Sequence, residues 1–377
     1  MDSQQRKELL EQVDRFCQNE VLPHMEEDDE KGYFRPEIFQ GFAQLGLTGL
    51  TTEEAYEGAA LGYQDLCAVL EKIAHYSVPY AITLSVSSMV QGLIQQFANE
   101  QQKQKYLPPL ASGQAIGAFS LSESHSGSDA ASLKTTAKKV EGGYELNGTK
   151  MWVTSGGIAE TYIVMARTGE AGPKGISAFI VEKDTAGLSF GKAEKKMGWT
   201  LSPTRELIFE RCFIPEEQRL AQEGEGFKMA MAALDRGRIT IGAIGVGVAQ
   251  AALDYAIAYS LRREQFQKAI FEFQGLQFMM ADDATEIECS RLLVQRAAKD
   301  FDEKHINQKL AAMAKMKATD TAMNVCTNAV QILGGVGYTK EYPVERFMRD
   351  AKVLQIVEGT NQIQKVIIAR ELQRHYQ

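Results

Sequence analysis

The chain has 377 residues, of which 44% are hydrophobic and 24% charged, and its 41 basic and 49 acidic side chains give a net charge of −8. This length exceeds what one hydrophobic core usually supports, so two or three domains are expected. The acidic balance argues against a large nucleic-acid footprint, and we expect no nucleic-acid partner.

The cysteines and histidines give no sign of a metal site or a disulfide framework. Five of each are present, and neither set shows the spacing of a zinc site. The first residues form a charged, amphipathic stretch without a signal-peptide core. No run approaches the roughly 18 apolar residues of a membrane span. We therefore expect a cytoplasmic protein without stable membrane insertion and without a metal.

Residues 1–115 carry apolar side chains at helical spacing. Leu9, Val13 and Phe16 belong to one such stripe, and later stretches such as 82–97 show no sustained alternation. The first third of the chain is therefore predicted to be an N-terminal helical domain.

The pattern of apolar residues changes over residues 116–222. Short apolar segments rich in β-branched and aromatic residues alternate there with turn residues. Asn147-Gly148 lies between two of them, 144–146 and 151–153, which is a strong hairpin signal. This middle region is predicted to be a β domain of seven or eight strands, a barrel or a sandwich.

Helical spacing returns over residues 223–377. The stretches 226–262, 272–303 and 308–333 are long, apolar-striped and nearly free of proline, and with a last helix from Asn361 they predict a four-helix bundle. Gly242, Gly245 and Gly247 lie inside the first stretch. Their spacing is reversed from a dinucleotide-binding loop, so they are predicted to allow close helix packing.

Glu358 is the most informative carboxylate in the chain. It follows four apolar residues, Val353, Leu354, Ile356 and Val357, and precedes a Gly-Thr-Asn turn. There Asn361 and Gln364 fit the N-cap and N3 positions of a new helix. Burial would raise the pKa of such a carboxyl, while the helix N-terminus would lower it. The alternative is a solvated side chain, which is commoner for an isolated Glu.

Three blocks, in this order, resemble the signatures of acyl-CoA dehydrogenases. They are Ser-Glu-Ser-His-Ser-Gly-Ser-Asp at 122–129, Asn-Gly-Thr-Lys-Met-Trp-Val-Thr-Ser-Gly at 147–156, and Val-Glu-Gly-Thr-Asn-Gln-Ile-Gln at 357–364. The glycine-rich 334–338 and the segment 342–346 precede the third block as they do in that family. The resemblance covers essentially the whole chain.

The resemblance implies an α+β multidomain fold with an N-terminal helical domain, a middle β-barrel and a C-terminal four-helix bundle. It implies FAD-dependent formation of a trans-2-enoyl-CoA from an acyl-CoA in fatty-acid β-oxidation. In this family the residue at Glu358 removes the α-proton, its backbone N–H helps to hold the oxyanion, FAD takes the β-hydride, and an electron-transfer flavoprotein takes the electrons. Some relatives place the base at the position of Gly237, which has no side chain here. The segment 234–238 is most similar to short-chain and branched short-chain members.

The resemblance also assigns contacts. Asp235 and Arg238, with Ser128 and Gly359, would contact the acyl-CoA, although a helix i,i+3 ion pair is the alternative for the first two. Trp152 would lie against the flavin, with core packing as its alternative. A second set would hold FAD from a neighbouring subunit, implying a homo-oligomer, commonly a homotetramer built as a dimer of dimers. The implied FAD contacts are Phe119, Leu121, Ser122, Gly127, Ser128, Trp152, Thr154, Arg263, Gln265, Phe266, Gln274, Gln331, Gly335, Thr360 and Gln362.

The sequence departs from the family pattern at two turns. Ser124-His125-Ser126 replaces the common Pro-Gly-Ala of the first block, and Gln267 replaces the glycine that usually follows Phe266. Two other functions are weighed. An acyl-CoA oxidase that uses O₂ is usually a much longer chain. A non-catalytic flavoprotein scaffold of the DNA-binding kind carries an extra basic C-terminal region, unlike this acidic sequence.

Overall fold

The N-terminal part of the computed structural model is helical, as predicted, and the structure describes residues 1–305 and 307–376. The first helix begins with a capping box in which Asp2 and Gln5 exchange side-chain to backbone hydrogen bonds. The helices are α1 (Ser3–Phe16), α2 (Met25–Lys31), α3 (Pro36–Gln44), α4 (Tyr63–Tyr76), α5 (Val78–Phe97) and α6 (Glu100–Ala111). Nearly all of α5 is buried, which fits its apolar residues on every face.

The middle part is an eight-stranded sheet, which matches the predicted strand count. Its strands are β1 (Gly117–Ser120), β2 (Thr136–Val140), β3 (Gly143–Thr154), β4 (Thr161–Arg167), β5 (Ile176–Glu182), β6 (Leu188–Phe190), β7 (Thr204–Pro215) and β8 (Arg219–Leu220). The order is β6-β7-β3-β2-β4-β5-β8, and β1 joins β4 in parallel. In the described chain the end strands β6 and β8 do not pair with each other, so hydrogen bonding leaves the sheet open.

The predicted Asn147-Gly148 hairpin is wrong. Both residues lie inside the single long strand β3, where its register with β7 shifts between Leu146 and Gly148. Gly148 has a φ of 141°, and a Cβ there would approach the side-chain oxygen of Thr135 to 2.7 Å. A bulge, like a tight turn, favours a residue free of Cβ restrictions. Asn147-Gly148 therefore marks an irregular backbone, as expected, but the irregularity is a bulge within one strand and not a turn between two.

The C-terminal part contains the four predicted long helices and one shorter helix between them. They are α7 (Gly226–Arg262), α8 (Gln274–Asp302), α9 (Gln308–Leu333), α10 (Val344–Leu354) and α11 (Asn361–Tyr376). A small antiparallel hairpin of β9 (Glu264–Gln265) and β10 (Lys268–Ala269) separates α7 from α8. One cluster of buried apolar side chains continues from the N-terminal helices through the sheet into α7 and α9, so it connects all three regions.

Glycines set the spacing between α7 and its neighbours, as predicted. A Cβ at Gly242 would lie 2.8 Å from Val294 of α8. A Cβ at Gly245 would lie 3.1 Å from the carbonyl of Ala318 in α9, and one at Gly247 only 2.2 Å from the carbonyl of Glu71 in α4. These contacts leave no room for side chains, so the backbones pack directly on α7.

Helix α7 also corrects the expectation that no run approaches a membrane span. An 18-residue window within it has a mean hydropathy of 1.5, which meets the length and composition of a spanning helix. However, 72% of that window is buried inside the molecule. The apolar surface of α7 is therefore explained by its place at the centre of the C-terminal helices.

Candidate active site

Glu358 lies in the turn that connects α10 to α11. Its φ is 54° and that of Gly359 is 85°, so two consecutive residues adopt the left-handed region. This conformation is costly for a glutamate, and residues of this kind persist only where their surroundings hold them. The neighbouring Leu354 is fully buried, which anchors the turn at its N-terminal side.

The helix that follows begins differently from the prediction. Asn361 is its first helical residue, and Thr360 before it caps the helix by accepting the Ile363 N–H at 3.3 Å. The Asn361 side chain is buried and bonds instead to Lys315, Thr319 and Asp320 of α9. The cap is therefore one residue earlier than predicted, because tertiary contacts recruit the Asn361 amide.

One oxygen of the Glu358 carboxylate is buried and has no hydrogen-bond partner. This oxygen is Oε2, and it accepts no hydrogen bond from a described residue. Burial raises the pKa of Glu358 to about 7, although the positive charges of Arg238 and Lys315 oppose that rise. A carboxylate with a pKa near neutrality and a free oxygen is suited to accept a proton.

Gly237 faces that carboxylate across the site. A Cβ built on Gly237 would lie 2.7 Å from both Cδ and Oε2 of Glu358. Any side chain at 237 would thus occupy the space of the Glu358 carboxyl. Positions 237 and 358 would therefore place a base in the same space. In this chain the carboxylate is at position 358, on the turn.

Asp235 and Arg238 form the i,i+3 ion pair that was the alternative for them. They are 7% and 4% exposed, and Gln308 donates to the second carboxylate oxygen of Asp235 at 2.8 Å. Burial at this depth makes the pair part of the wall near Glu358. Their contact with an acyl-CoA stays a prediction, as does that of Gly359.

A buried ion pair connects the first two sequence blocks. The Lys150 ammonium lies 2.8 Å from Glu123 and donates to the Leu121 carbonyl at 3.1 Å. Burial disfavours the Glu123 carboxylate, but the Lys150 charge and the hydrogen bonds from Lys150, Thr135 and Lys134 together outweigh it and lower the pKa of Glu123 to about 2. Met151 N–H also donates to the Ser122 carbonyl. The loop after β1 is therefore fixed against β3, which brings predicted flavin contacts from both blocks together.

The predicted flavin contacts on these segments remain accessible. Trp152 is 57% exposed with a φ of 61°, so core packing does not explain it. Gly127 and Ser128 lie on the exposed part of the loop, and Phe119, Ser122 and Thr154 are half-buried. Leu121 alone of this group is buried. In the altered turn, His125 lies at the surface with Nε2 3.5 Å from Glu123, as a loop residue.

A second group of predicted contacts lines an open cavity of about 640 Å³. Phe266 is 88% exposed and lies with Gln267 at the tip of the β9–β10 hairpin, where both have positive φ. A two-residue turn of this kind normally favours Asn or Gly, so the departure at Gln267 is accommodated with strain. Five predicted FAD contacts line the cavity: Arg263, Gln265, Phe266, Gln331 and Gly335.

The cavity and the base lie towards opposite ends of the same helix. Gly237 and Arg262 are 25 residues apart on α7, which corresponds to roughly 38 Å at 1.5 Å per residue. Gln274 is exposed at the first position of α8 and is outside the cavity lining, while Thr360 and Gln362 lie beside Glu358. The predicted FAD contacts that line the cavity are therefore separated from those beside Glu358.

Comparison with known proteins identifies the family. The chain matches the N-terminal, middle and C-terminal domains of acyl-CoA dehydrogenase over residues 3–114, 118–212 and 224–373. An acyl-CoA dehydrogenase of Bacillus subtilis (strain 168) is 45% identical over 373 residues, which cover 98% of each chain. The chain belongs to the acyl-CoA dehydrogenase family.

Two solved structures extend the similarity to the acyl-CoA dehydrogenase fold. Butyryl-CoA dehydrogenase from Megasphaera elsdenii superposes with a TM-score of 0.96 at 42% identity, covering 97% of each chain. A chain from work on the electron transferring flavoprotein of Acidaminococcus fermentans and flavin-based electron bifurcation gives 0.97 at 44% identity, covering 99% of each chain. The predicted three-part fold, the FAD cofactor and the enzyme class are confirmed.

The described residues fit the FAD of an acyl-CoA dehydrogenase. Arg263 lines the cavity and forms no ion pair with a described residue, so its guanidinium is available for a phosphate. Added Cβ atoms at Gly127, Gly334 and Gly335 would meet nothing within 4 Å, so a ligand can approach the backbone closely there. Phe266 offers an exposed aromatic face.

Sequence reasoning missed the polar groups beneath the base. Lys315 and Gln364 are fully buried, and both donate to backbone carbonyls of the 358–359 turn. The signal was present for Lys315, since it falls on the same helical stripe as Ala311, Ala318 and Ala322. A lysine on an otherwise apolar stripe indicates a buried charge with a specific partner.

Proposed function

We propose that this FAD-dependent acyl-CoA dehydrogenase converts a short-chain acyl-CoA to the trans-2-enoyl-CoA, with Glu358 as the base that removes the α-proton. The observation that carries this proposal is the Glu358 carboxylate, whose Oε2 is buried without a hydrogen-bond partner and faces the side-chain-free Gly237. The similarity to butyryl-CoA dehydrogenase supports a short acyl chain.

In the proposed reaction the side chain and the backbone N–H of Glu358 have different roles. The α C–H bond breaks and its proton moves to Glu358 Oε2, while the electron pair forms the new double bond and a hydride leaves the β carbon. When bound, FAD supplies the acceptor for that hydride. The Glu358 backbone N–H makes no hydrogen bond to a described residue, so it is available to donate to the thioester oxygen as negative charge develops.

The arrangement of cofactor contacts supports an oligomer. The segments around Ser122 and Trp152 would hold the flavin of the same chain, and the cavity around Arg263 would hold the phosphates and adenosine of a neighbouring subunit's FAD. The separation of roughly 38 Å along α7 between that cavity and the base favours such sharing. A dimer of dimers satisfies this requirement, and size-exclusion chromatography with light scattering tests it.

An electron-transfer flavoprotein is the proposed electron acceptor. Trp152 lies on the flavin segment and is more than half exposed, so a docking partner could reach it. The similarity to a chain from work on an electron transferring flavoprotein supports this partner class.

Anaerobic titration of the purified holoenzyme with acyl-CoAs tests the proposal. We expect butyryl-CoA to bleach the flavin absorbance in proportion to bound FAD, with longer chains reacting more slowly. Absence of bleaching with every acyl-CoA, despite a full complement of FAD, would contradict the dehydrogenase proposal and favour a scaffold. Rapid return of colour in air would favour an oxidase.

A further inference from the structure

Lys315 is a fully buried lysine that the proposed chemistry does not use. It lies on α9 and is 0% exposed. Burying an ammonium group is unfavourable unless specific partners compensate the loss of water. Its contacts therefore indicate what the charge does.

All the recorded partners of Lys315 belong to the segment just after Glu358. The ammonium donates to the Gly359 carbonyl at 3.0 Å and to the Asn361 side-chain oxygen at 2.8 Å. Among the described residues it forms no ion pair with a carboxylate. By contrast, the buried Lys150 is neutralised directly by Glu123 at 2.8 Å. The Lys315 charge is thus held in place by neutral oxygens.

These contacts hold the turn in its left-handed conformation. The Gly359 carbonyl accepts from Lys315 and also from Gln364 at 2.7 Å, and Gln364 reaches the Glu358 carbonyl at 3.1 Å. The Gly359 carbonyl is thereby bonded to side chains of both α9 and α11, and the Glu358 carbonyl to a side chain of α11. The Glu358 side chain remains directed at Gly237, without a partner on Oε2.

The charged groups around Lys315 come from three elements. Burial lowers the pKa of Lys315 to about 7, while Glu358 on the turn and Asp320 on α9 favour its charged form and Arg238 on α7 disfavours it. Arg238 is already paired with Asp235, and Asp320 accepts hydrogen bonds from Gln355 and Asn361. Glu358 is the one carboxylate of this set without a recorded partner. A nearby cation favours the ionised form of such a group.

We propose that Lys315 is a positioning residue for Glu358: it holds the 358–361 turn through Gly359 and Asn361, and its ammonium group favours the ionised carboxylate. This inference rests on the proposed function of Glu358 as the base. It adds that the base depends on a residue 43 positions earlier in the chain, on a different helix.

The test is the pH dependence of anaerobic flavin reduction by butyryl-CoA, measured per bound FAD, in Lys315→Met and Lys315→Arg. The rate of flavin reduction should rise with pH, and its midpoint is the pH at which the rate reaches half its maximum. For Lys315→Met we expect this midpoint to move up by about one pH unit, since the carboxylate loses an opposite charge. Lys315→Arg keeps the charge and should keep the wild-type midpoint. Thr319→Val is the matched uncharged control, because it removes another bond to Asn361, and its midpoint should not move.

The outcomes separate the two proposals. If the wild type does not bleach with any acyl-CoA, the proposed function fails. If the wild type bleaches but Lys315→Met lowers the rate equally at every pH, Lys315 is only structural and the inference is overturned. Lys315→Gln retains a donor for the Gly359 carbonyl and replaces Lys315→Met if that variant does not fold, with the same expected shift. An unshifted midpoint in Lys315→Gln would equally overturn the inference.

Discussion

The turn that carries Glu358 and the cavity that contains Arg263 are built in opposite ways. The turn is held by buried polar side chains from two helices, and its carboxylate oxygen lies out of water. The cavity is open, and its aromatic side chain Phe266 is 88% exposed. The groups around the base are therefore held by the chain's own hydrogen bonds, whereas the cavity lining is left open to solvent.

This difference predicts which property each substitution changes, the rate of flavin reduction or the affinity for FAD. Groups around a preorganised, desolvated base act on the rate of the chemical step. Groups around an open cavity act on how tightly the cofactor is held. The two effects are separable in this enzyme because the regions lie towards opposite ends of α7.

Replacing the base gives the largest expected effect. In Glu358→Gln the carboxylate that takes the proton is lost while the shape is kept, so flavin reduction by butyryl-CoA should slow by about 10³-fold or more. Stopped-flow absorbance measures this rate, and the ratio of FAD to protein should equal that of the wild type. Wild-type reduction rates in this variant would rule out Glu358 as the base.

Crowding the base is expected to cost less than removing it. Gly237→Ala adds a Cβ where the Glu358 carboxyl lies, so the carboxyl must move, and a displacement of this kind lowers the rate by about 10²-fold. Gly275→Ala is a matched control on α8, because a Cβ there meets nothing within 4 Å. Equal rates in the two variants would contradict the close approach of Gly237 and Glu358.

Substitutions in the cavity should change the affinity for FAD and not the rate of flavin reduction. Arg263→Gln removes a cation suited to a phosphate, so the dissociation constant for FAD should rise about 10- to 100-fold. The reduction rate per bound FAD should stay that of the wild type. Fluorescence titration of the apoprotein with FAD measures the change, with Arg15→Gln on α1 as an exposed arginine control. A slower chemical step in Arg263→Gln would break the separation of the two regions.

The pH dependence of flavin reduction is the smallest of the four expected effects. It compares the two regions directly, because the rate depends on Glu358 and the FAD affinity on the cavity. Because burial raises the pKa of Glu358 to about 7, the carboxyl is protonated below that pH and cannot accept the α-proton. The rate of reduction should be about tenfold lower at pH 6 than at pH 8. FAD affinity should change little over this range, since arginine stays charged. A rate that rises as the pH falls would exclude a carboxylate base.

The sequence predicts the order of the three regions well because hydrophobic periodicity is a local property. The bounds of α7 and α9 and the strand count follow from that periodicity and from turn residues. The local motif of Glu358, with a carboxylate, a glycine joint and a helix start, left a solvated side chain as the commoner interpretation, and the resemblance of three ordered blocks to acyl-CoA dehydrogenases made Glu358 the candidate base. These features need no knowledge of distant contacts.

The errors arise where distant residues decide between two local solutions. Thr360 and Asn361 are both good capping residues, and the contacts of Asn361 with α9 determine which one caps. Asn147-Gly148 suits a hairpin turn, but pairing of β3 with β7 on both sides of it makes it a bulge. Lys315 contacts Gly359 of the turn, 44 positions later in the sequence, and no local pattern predicts such a contact.

The glycine contacts of α7 have a consequence for redesign of this enzyme. Gly242, Gly245 and Gly247 set the distances from α7 to three other helices, and Gly237 lies on the same helix, one to three turns earlier. A larger residue at any of the three would push α7 away from a neighbour and carry Gly237 with it. Substitutions at these three glycines would therefore disturb proton abstraction from a distance, through the position of Gly237.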